Sequence, residues 1–307
     1  MTMRLLAPAK LNLYLRAGRP RADGYHPLVS WMCTIGLFDE LLVDQAQDGE
    51  LRLICDLPQL PVDAGNLAVR AARALADHLA KCHHEGWRRQ AGLRARLHKR
   101  IPVGAGLGGG SADGACMLAA LNRLWNAGCG RDELSAIAAG LGSDVSFFFY
   151  APSAVIRGRG EVVQQAEPPQ PGYAVLLLPE MSLSTAAVYR RFDELGLGSE
   201  PDNEPDRRAW SMLEADALMP LLFNDLEPAA FSLAPELGRL RNEAEKALGR
   251  PVRMSGSGSA LFTLLDGERE AEDCAAKAAR ALGVRTLAAK LGVPTGWPTT
   301  PGGDAGI

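Results

Sequence analysis

Leu11, Leu13 and Leu15 alternate with Lys10, Asn12 and Tyr14 in the stretch RLLAPAKLNLYLRAG, and that two-residue period predicts a strand. Asp23-Gly24-Tyr25-His26-Pro27 is a turn signal between it and the apolar run LVSWMCTIGLFDELLV. From Asn66, a helix-capping residue type, Ala68, Ala72, Leu75 and Leu79 recur at helical spacing to about Lys81. In GLRARLHKRI the period returns to two, with Leu93, Ala95 and Leu97 against Arg and His. That strand runs straight into a glycine-rich stretch, IPVGAGLGGGSADGACML, from Ile101 to Leu118. Ala115, Leu118, Leu121 and Trp125 then mark an amphipathic helix that stops at Gly128.

Beyond the apolar segment GSDVSFFFYAPSAVIRGRGE the pattern changes, which places a first domain at residues 1–155. YAVLLLP (Tyr173 to Pro179) and SALFTLL (Ser259 to Leu265) predict strands. Helical segments lie between them, Leu233 to Leu248, and after them, Glu268 to Leu282. The mixture predicts an α+β second domain over residues 156–293. Gly198 to Arg207 is acidic, contains proline and reads as a loop. Residues 294–307 are rich in proline and glycine and are expected to form a disordered tail. There is no internal repeat.

Composition narrows the function classes. At 307 residues, with 47% hydrophobic and 22% charged residues, the chain can bury two cores of an ordinary globular protein. A formal net charge of -3 gives no footprint for nucleic acid, and the small basic cluster from Arg94 to Arg100 carries no interleaved aromatics. No apolar run reaches the roughly 18 residues of a membrane span. Lys10 and Asn12 interrupt the short apolar N-terminus, which argues against a signal peptide. Cys33, Cys55, Cys82, Cys116, Cys129 and Cys274 form no C-x-x-C pair, so reduced thiols in a cytoplasmic protein are expected. His78, His83, His84 and His98 show no spacing that calls for a metal site.

The glycine stretch holds five glycines in the seven positions from Gly104 to Gly110. Gly104, Gly106 and Gly109 spell the G-x-G-x-x-G of dinucleotide enzymes. However, the acidic pair Asp132–Glu133, near the required distance, follows a turn rather than a strand. A Walker A loop fails at Gly110, where lysine is needed. A merely structural turn would not need so many residues that each cost about 1 kcal/mol against alanine in a helix. What fits is a strand ending at Ile101, crowded backbone N–H groups, and a helix starting near Ser111, which together make an anion site. Asp113 would cap that helix or help to hold the magnesium ion of ATP.

Taken together, PAKLNLYL (Pro8 to Leu15), the glycine loop and MSGSGSALFTL (Met254 to Leu264) resemble the three-motif pattern of the GHMP kinases, among them galactokinase, homoserine kinase and mevalonate kinase. DGYHPL, GLGGGSAD, GSDVSFF, GRGE (Gly158 to Glu161) and NDLEP (Asn224 to Pro228) are similar, more narrowly, to the branch that phosphorylates a cytidine diphosphate-linked methylerythritol in non-mevalonate isoprenoid synthesis. The resemblance implies an N-terminal domain like ribosomal protein S5 domain 2, a ferredoxin-like C-terminal domain, and an active site in the cleft between them. It also implies ATP and Mg²⁺ as cofactors and phosphoryl transfer to the 2-hydroxyl of the acceptor. The expected partner is that small molecule, with no nucleic acid or membrane, and the chain is expected as a monomer or weak homodimer. Another GHMP kinase of homoserine or mevalonate type is the alternative, and a non-catalytic nucleotide-binding module is a further one. Two departures stand out: Gly109 and Gly110 replace loop serines of most GHMP kinases, and Ser146 stands where proline is common, an expected loosening of the turn after Asp144.

Matched to the family, Pro102, Val103, Gly104, Ala105, Gly106, Leu107, Gly108, Gly109, Gly110, Ser111 and Ala112 would hold the triphosphate. Asp144 would take the proton of the acceptor hydroxyl, and Lys10 would keep that aspartate ionised and stabilise developing charge. Asn12, two residues on and so on the same face of the strand, would hydrogen-bond the substrate. Tyr25 and His26 would read the cytosine, with Thr185 and Tyr189 at its other side. The Ser255 to Ser259 turn would support the phosphates. No metal ligand is assigned.

Overall fold

The computed structural model describes residues 2–22, 24–46, 49–83, 92–198 and 206–297. Asp23 of the first turn, His84, most of the acidic loop (199–205) and residues 298–307 of the expected tail lie outside them.

The chain begins with a long antiparallel hairpin, β1 (Met3–Ala17) and β2 (Leu28–Ala46), paired from Met3↔Val43 to Ala17↔Leu28 with register shifts after Pro8 and after Asn12. Then come β3 (Leu51–Cys55), helix α1 (Leu67–His83), and β4 (Gly92–His98), which inserts between β2 and β3. Helices α2 (Gly109–Leu124) and α3 (Arg131–Ala139) follow, then a 3-10 turn (Ser146–Tyr150), β5 (Ser153–Gly158) and β6 (Val162–Gln165). Asn66 caps α1 as its residue type predicts, its Oδ1 accepting the Ala68 N–H at 2.9 Å.

The second half runs β7 (Tyr173–Leu178), α4 (Thr185–Glu194), α5 (Arg207–Ser211), α6 (Ala215–Leu218), β8 (Phe223–Asn224), α7 (Glu227–Leu233) and α8 (Pro235–Leu248). It ends with β9 (Arg253–Met254), β10 (Leu261–Leu265), α9 (Glu268–Leu282) and β11 (Arg285–Lys290). These strands pair in the order β11-β7-β10-β9, all antiparallel. Counted from β7 that order is 4-1-3-2, the ferredoxin-like arrangement, with α8 and α9 as its crossover helices.

The first sheet runs β3-β4-β2-β1-β8, with β5 paired to β2 and β6 to β5. A boundary at residue 155 therefore falls inside a strand. Buried Val155 and Ile156 hold β5 on β2, the sheet continues to Gln165, and β8 returns from far downstream to pair with β1. Leu75 and Leu79 of α1 and Leu118 and Leu121 of α2 bury against Leu41, Val43 and Leu97 of the sheet. A separate core joins Leu11, Leu13 and Ile35 of the hairpin to Leu176 and Phe262 of the second sheet. Each fully buried leucine contributes about 1.5–3 kcal/mol, so the hairpin's apolar side chains help to bind the two layers together.

The expected tail begins too early. Residues 294–297 lie on the first domain, where the buried Trp297 indole joins its core and donates to Leu6 O at 2.9 Å. The expected loosening at Ser146 is also absent. Its buried hydroxyl donates to Ser135 O at 3.0 Å and pins the 3-10 turn to α3.

Candidate active site

Strand β1 carries Lys10 and Asn12 into the interior, where both are buried beside the glycine loop. The Lys10 ammonium donates to Gly106 O at 2.9 Å and to Asn12 Oδ1, and lies 3.2 Å from Asp144 Oδ2. Asn12 is fixed in turn. Its side-chain amide donates to Ser30 Oγ at 2.8 Å, and its backbone N–H donates to Ser255 Oγ at 3.2 Å. Lys10 is only 3% exposed while Asp144 is 31% exposed, so the pair has a dry end and an open end. A buried ammonium without partners would be costly. Here three oxygens hold it, and the third faces the cleft.

The glycine loop is shaped by close approach. A Cβ on Gly106, whose φ is +76°, would lie 2.1 Å from Ser255 O. One on Gly108, at φ +69°, would lie 2.8 Å from the Lys10 side chain. The loop's carbonyls are occupied: Ala105 O accepts from Ala260 N at 3.0 Å, Gly106 O from Ser255 Oγ at 3.0 Å, and Leu107 O from Lys10 N at 2.9 Å. Among the described residues, the backbone N–H groups of Gly106 through Ser111 find no acceptor within the protein. Helix α2 starts at Gly109, two residues before the expected Ser111, and its N-terminal dipole adds to these free donors.

Pro102 through Ser111 line a cleft of about 490 Å³ together with Lys10, Asn12, Asp144, Thr185 and Tyr189. That volume suits a small-molecule site. Ala112 does not line it. It is fully buried in the first turn of α2, where its N–H closes the helix onto Gly108 O. Tyr189 packs its ring 4.9 Å from that of His26, and burial with the charge of Asp144 pushes its phenol well above the usual range. His26 is held by Gly18 O at 2.8 Å from Nδ1 and by Asp193 at 3.5 Å from Nε2. It therefore backs Tyr189 rather than lining the cleft. Tyr25 stands outside the cleft, 55% exposed, with the Arg159 guanidinium over its ring.

Asp113 does not cap α2, and it borders the cleft with only 3% of its surface exposed. It pairs with Lys99 at 2.7 Å, and Lys99 also binds Asp39. Asp39 Oδ1 accepts the Arg100 and Ile101 N–H groups at 2.6 and 2.9 Å, whereas Asp113 Oδ1 has no partner among the described residues. Burial, opposed by Lys99, pushes the Asp113 carboxyl up to about 7. Two other residues escaped sequence reasoning. Ser30 carries no motif, and Asn224, although within NDLEP, revealed its role only in space. Its amide donates to Met254 O and Gly256 O, both at 2.8 Å, and so holds the turn against which Lys10 and Asn12 rest.

Two family models match the chain: the GHMP kinases N terminal domain over residues 66–151 and the GHMP kinases C terminal domain over residues 211–284. A 4-diphosphocytidyl-2-C-methyl-D-erythritol kinase of Streptomyces coelicolor is 39% identical over 282 residues, covering 90% of this chain and 91% of that one. The chain belongs to the GHMP kinase family, in the branch of the 4-diphosphocytidyl-2-C-methyl-D-erythritol kinases. A Desulfitobacterium hafniense kinase of this branch is 38% identical, covering 89% of this chain and 90% of its own. A crystal structure of a 4-(cytidine 5'-diphospho)-2C-methyl-D-erythritol kinase superposes with a TM-score of 0.75 at 38% identity, over 95% of this chain and all of that one. A homoserine kinase from Cytophaga hutchinsonii, at TM-score 0.69 and 17% identity over 95% of each chain, shares the GHMP kinase fold. Membership makes the protein a small-molecule kinase, and the G-x-G-x-x-G of its loop is not a dinucleotide fingerprint. No helix among the described residues is long and apolar enough to cross a membrane.

Proposed function

We propose that the protein transfers the γ-phosphoryl group of ATP, with Mg²⁺, to the 2-hydroxyl of 4-diphosphocytidyl-2-C-methyl-D-erythritol. The observation that carries the chemistry is the Lys10–Asp144 pair, 3.2 Å apart, opening beside a loop whose backbone donors are unengaged. The acceptor oxygen attacks the γ-phosphorus, the bond to the β–γ bridging oxygen breaks, and ADP leaves. Asp144 receives the hydroxyl proton as the new P–O bond forms. Lys10, fixed by Asn12 and Gly106, neutralises charge on the transferring group without reorganising.

The loop residues fit a triphosphate because its amides are free and its glycines leave no side chain in their way. Ser111 and Asp144 line the cleft with hard oxygen donors and would hold the magnesium ion, which supplies charge neutralisation to the phosphates. Asp113 also borders the cleft, with its Oδ2 engaged by Lys99. Tyr189, braced by His26, presents a stacking face for the cytosine, and Thr185 lies one turn away on α4 with its hydroxyl 2.8 Å from Ser257 Oγ.

The test is ADP release in a coupled assay with ATP and each of three acceptors: the cytidylated methylerythritol, homoserine and mevalonate. Turnover with the first alone is expected. Absence of turnover with it, under conditions where another acceptor is phosphorylated, would overturn the reading.

A further inference from the structure

The far end of α1 carries a group of side chains that the kinase chemistry does not use. His78 Nε2, Cys129 Sγ and a Glu133 carboxylate oxygen lie within 4.8 Å of one another. Cys82 Sγ is 3.7 Å from the same His78 nitrogen, and Glu133 Oε1 is 2.6 Å from it. The four residues come from two helical spacings. His78 and Cys82 are one turn apart on α1, and Cys129 and Glu133 are one turn apart across the start of α3. Asn122 presents Cys129 to this corner by bonding both its backbone groups, each at 2.9 Å. The cluster's α1 residues lie about 16–22 Å along the helix from Leu67, which lines the cleft, at 1.5 Å rise per residue.

We infer that His78, Cys82, Cys129 and Glu133 form a binding site for Zn²⁺, separate from the nucleotide cleft. Two sulfurs, an imidazole nitrogen and one carboxylate are a borderline-soft set that suits zinc and does not suit magnesium or calcium. For Zn–S of 2.3 Å and Zn–N of about 2.05 Å, a tetrahedral edge between sulfur and nitrogen is about 3.6 Å. The Cys82–His78 separation already matches that edge. The His78–Glu133 contact is a hydrogen bond, and binding opens it to about 3.3 Å, a small rotation of a half-exposed carboxylate, while exposed Cys82, which stands outside the group of three, swings its Sγ toward Cys129 and Glu133. Both thiols bind as thiolates, so their protons pass to solvent. The bound ion would tie the C-terminal end of α1 to the loop ahead of α3, across 51 residues of sequence from His78 to Cys129. Sequence reasoning set the histidines aside because none of these intervals matches a short metal-binding motif.

The test uses the full chain, reduced and stripped of metal by a chelator that is then removed. Titration with Co²⁺ should give a thiolate-to-cobalt charge-transfer band and the strong visible bands of a tetrahedral ion, and one equivalent of Zn²⁺ should displace it. Cys82→Ser, Cys129→Ser and His78→Gln should each weaken Zn²⁺ binding about tenfold or more, whereas Cys55→Ser, a thiol outside the cluster, should leave it unchanged. Cys82 lies at the surface, so C82S will fold, which circular dichroism without metal verifies. Zn²⁺ should raise the melting temperature of the wild type and not that of C82S. A cobalt spectrum without thiolate bands, or equal zinc affinity in wild type, C82S and H78Q, would overturn the proposal. So would a Cys82–Cys129 disulfide that forms in place of metal binding.

Discussion

Two lysines, Lys10 and Lys99, are each 3% exposed, and each meets carboxylates under the same glycine loop. Their surroundings differ in one respect. Lys99 is held on both sides by buried carboxylates, Asp39 with no exposure and Asp113 with 4%, although Lys99 and Asp113 also border the cleft. Lys10 has one carboxylate, Asp144, and that carboxylate opens to the cleft. The adjacent glycines Gly108 and Gly109 divide the two. A Cβ on Gly108 would press on Lys10, and one on Gly109 would come within 3.2 Å of the Lys99 ammonium. Burial of a charge is thus common to both, and what separates them is the exposure of the carboxylate beside each, 31% at Asp144 against 0% and 4% at Asp39 and Asp113.

The sharpest way to break this contrast is to neutralise each pair at its distinctive partner. Asp144→Asn should lower kcat by about 10²–10⁴-fold, the usual contribution of a positioned base, with the urea midpoint nearly unchanged. If kcat survives, Asp144 is not the proton acceptor. Lys99→Met leaves two buried carboxylates without their cation and should destabilise the fold by about 3–5 kcal/mol in urea titrations, the typical cost of breaking a buried pair. A stable K99M protein would mean that the triad is not what holds the loop.

The two glycines offer a finer test. Gly108→Ala adds a left-handed alanine worth about 1–2 kcal/mol of strain and displaces Lys10, so kcat should fall more than stability does. Gly109→Ala has ordinary backbone geometry and presses on Ile101 and Lys99, so it should cost stability more than kcat. Reversal of that ranking would dissolve the division.

The smallest expected effect concerns pH. Asp113 holds its proton up to about 7 in the folded chain, against about 3.9 for a free aspartate. The folded state therefore binds more protons across that interval, and this group's contribution to stability falls as pH rises from about 4 to about 7. Asp39 accepts two backbone N–H groups, whereas Asp113 keeps an unpartnered oxygen. Asp113→Asn should gain on the wild type between pH 5 and pH 8 in urea midpoints. Parallel pH curves for the two proteins would contradict the assignment.

The open lysine was legible in the sequence and the closed one was not, for a physical reason. Lys10 and Asn12 stand two residues apart on a patterned strand, and Asp144 sits in a short motif whose order along the chain is informative. The Lys99 triad joins positions 39, 99 and 113, whose meeting depends on β4 inserting between β2 and β3 rather than on any local spacing. The strands and helices with clear periods came through to within a few residues, including α9, foreseen at its observed bounds. No local period signals that β8 returns to β1 from beyond β7. Tyr25 and Ala112 followed their motifs into the expected site, but position in a motif does not fix which way a residue faces.

The hydrogen bonds from Ala260 and Ser255 to the glycine loop bear on the order in which the protein is made. The loop lies within the first 112 residues, yet two of the contacts that orient its peptide planes arrive from residues 255 and 260. An emerging chain can complete the helices of its first layer long before then. The loop gains these contacts only after the segment up to β10 has been synthesised and docked, so the proposed nucleotide site is completed by the second half of the chain.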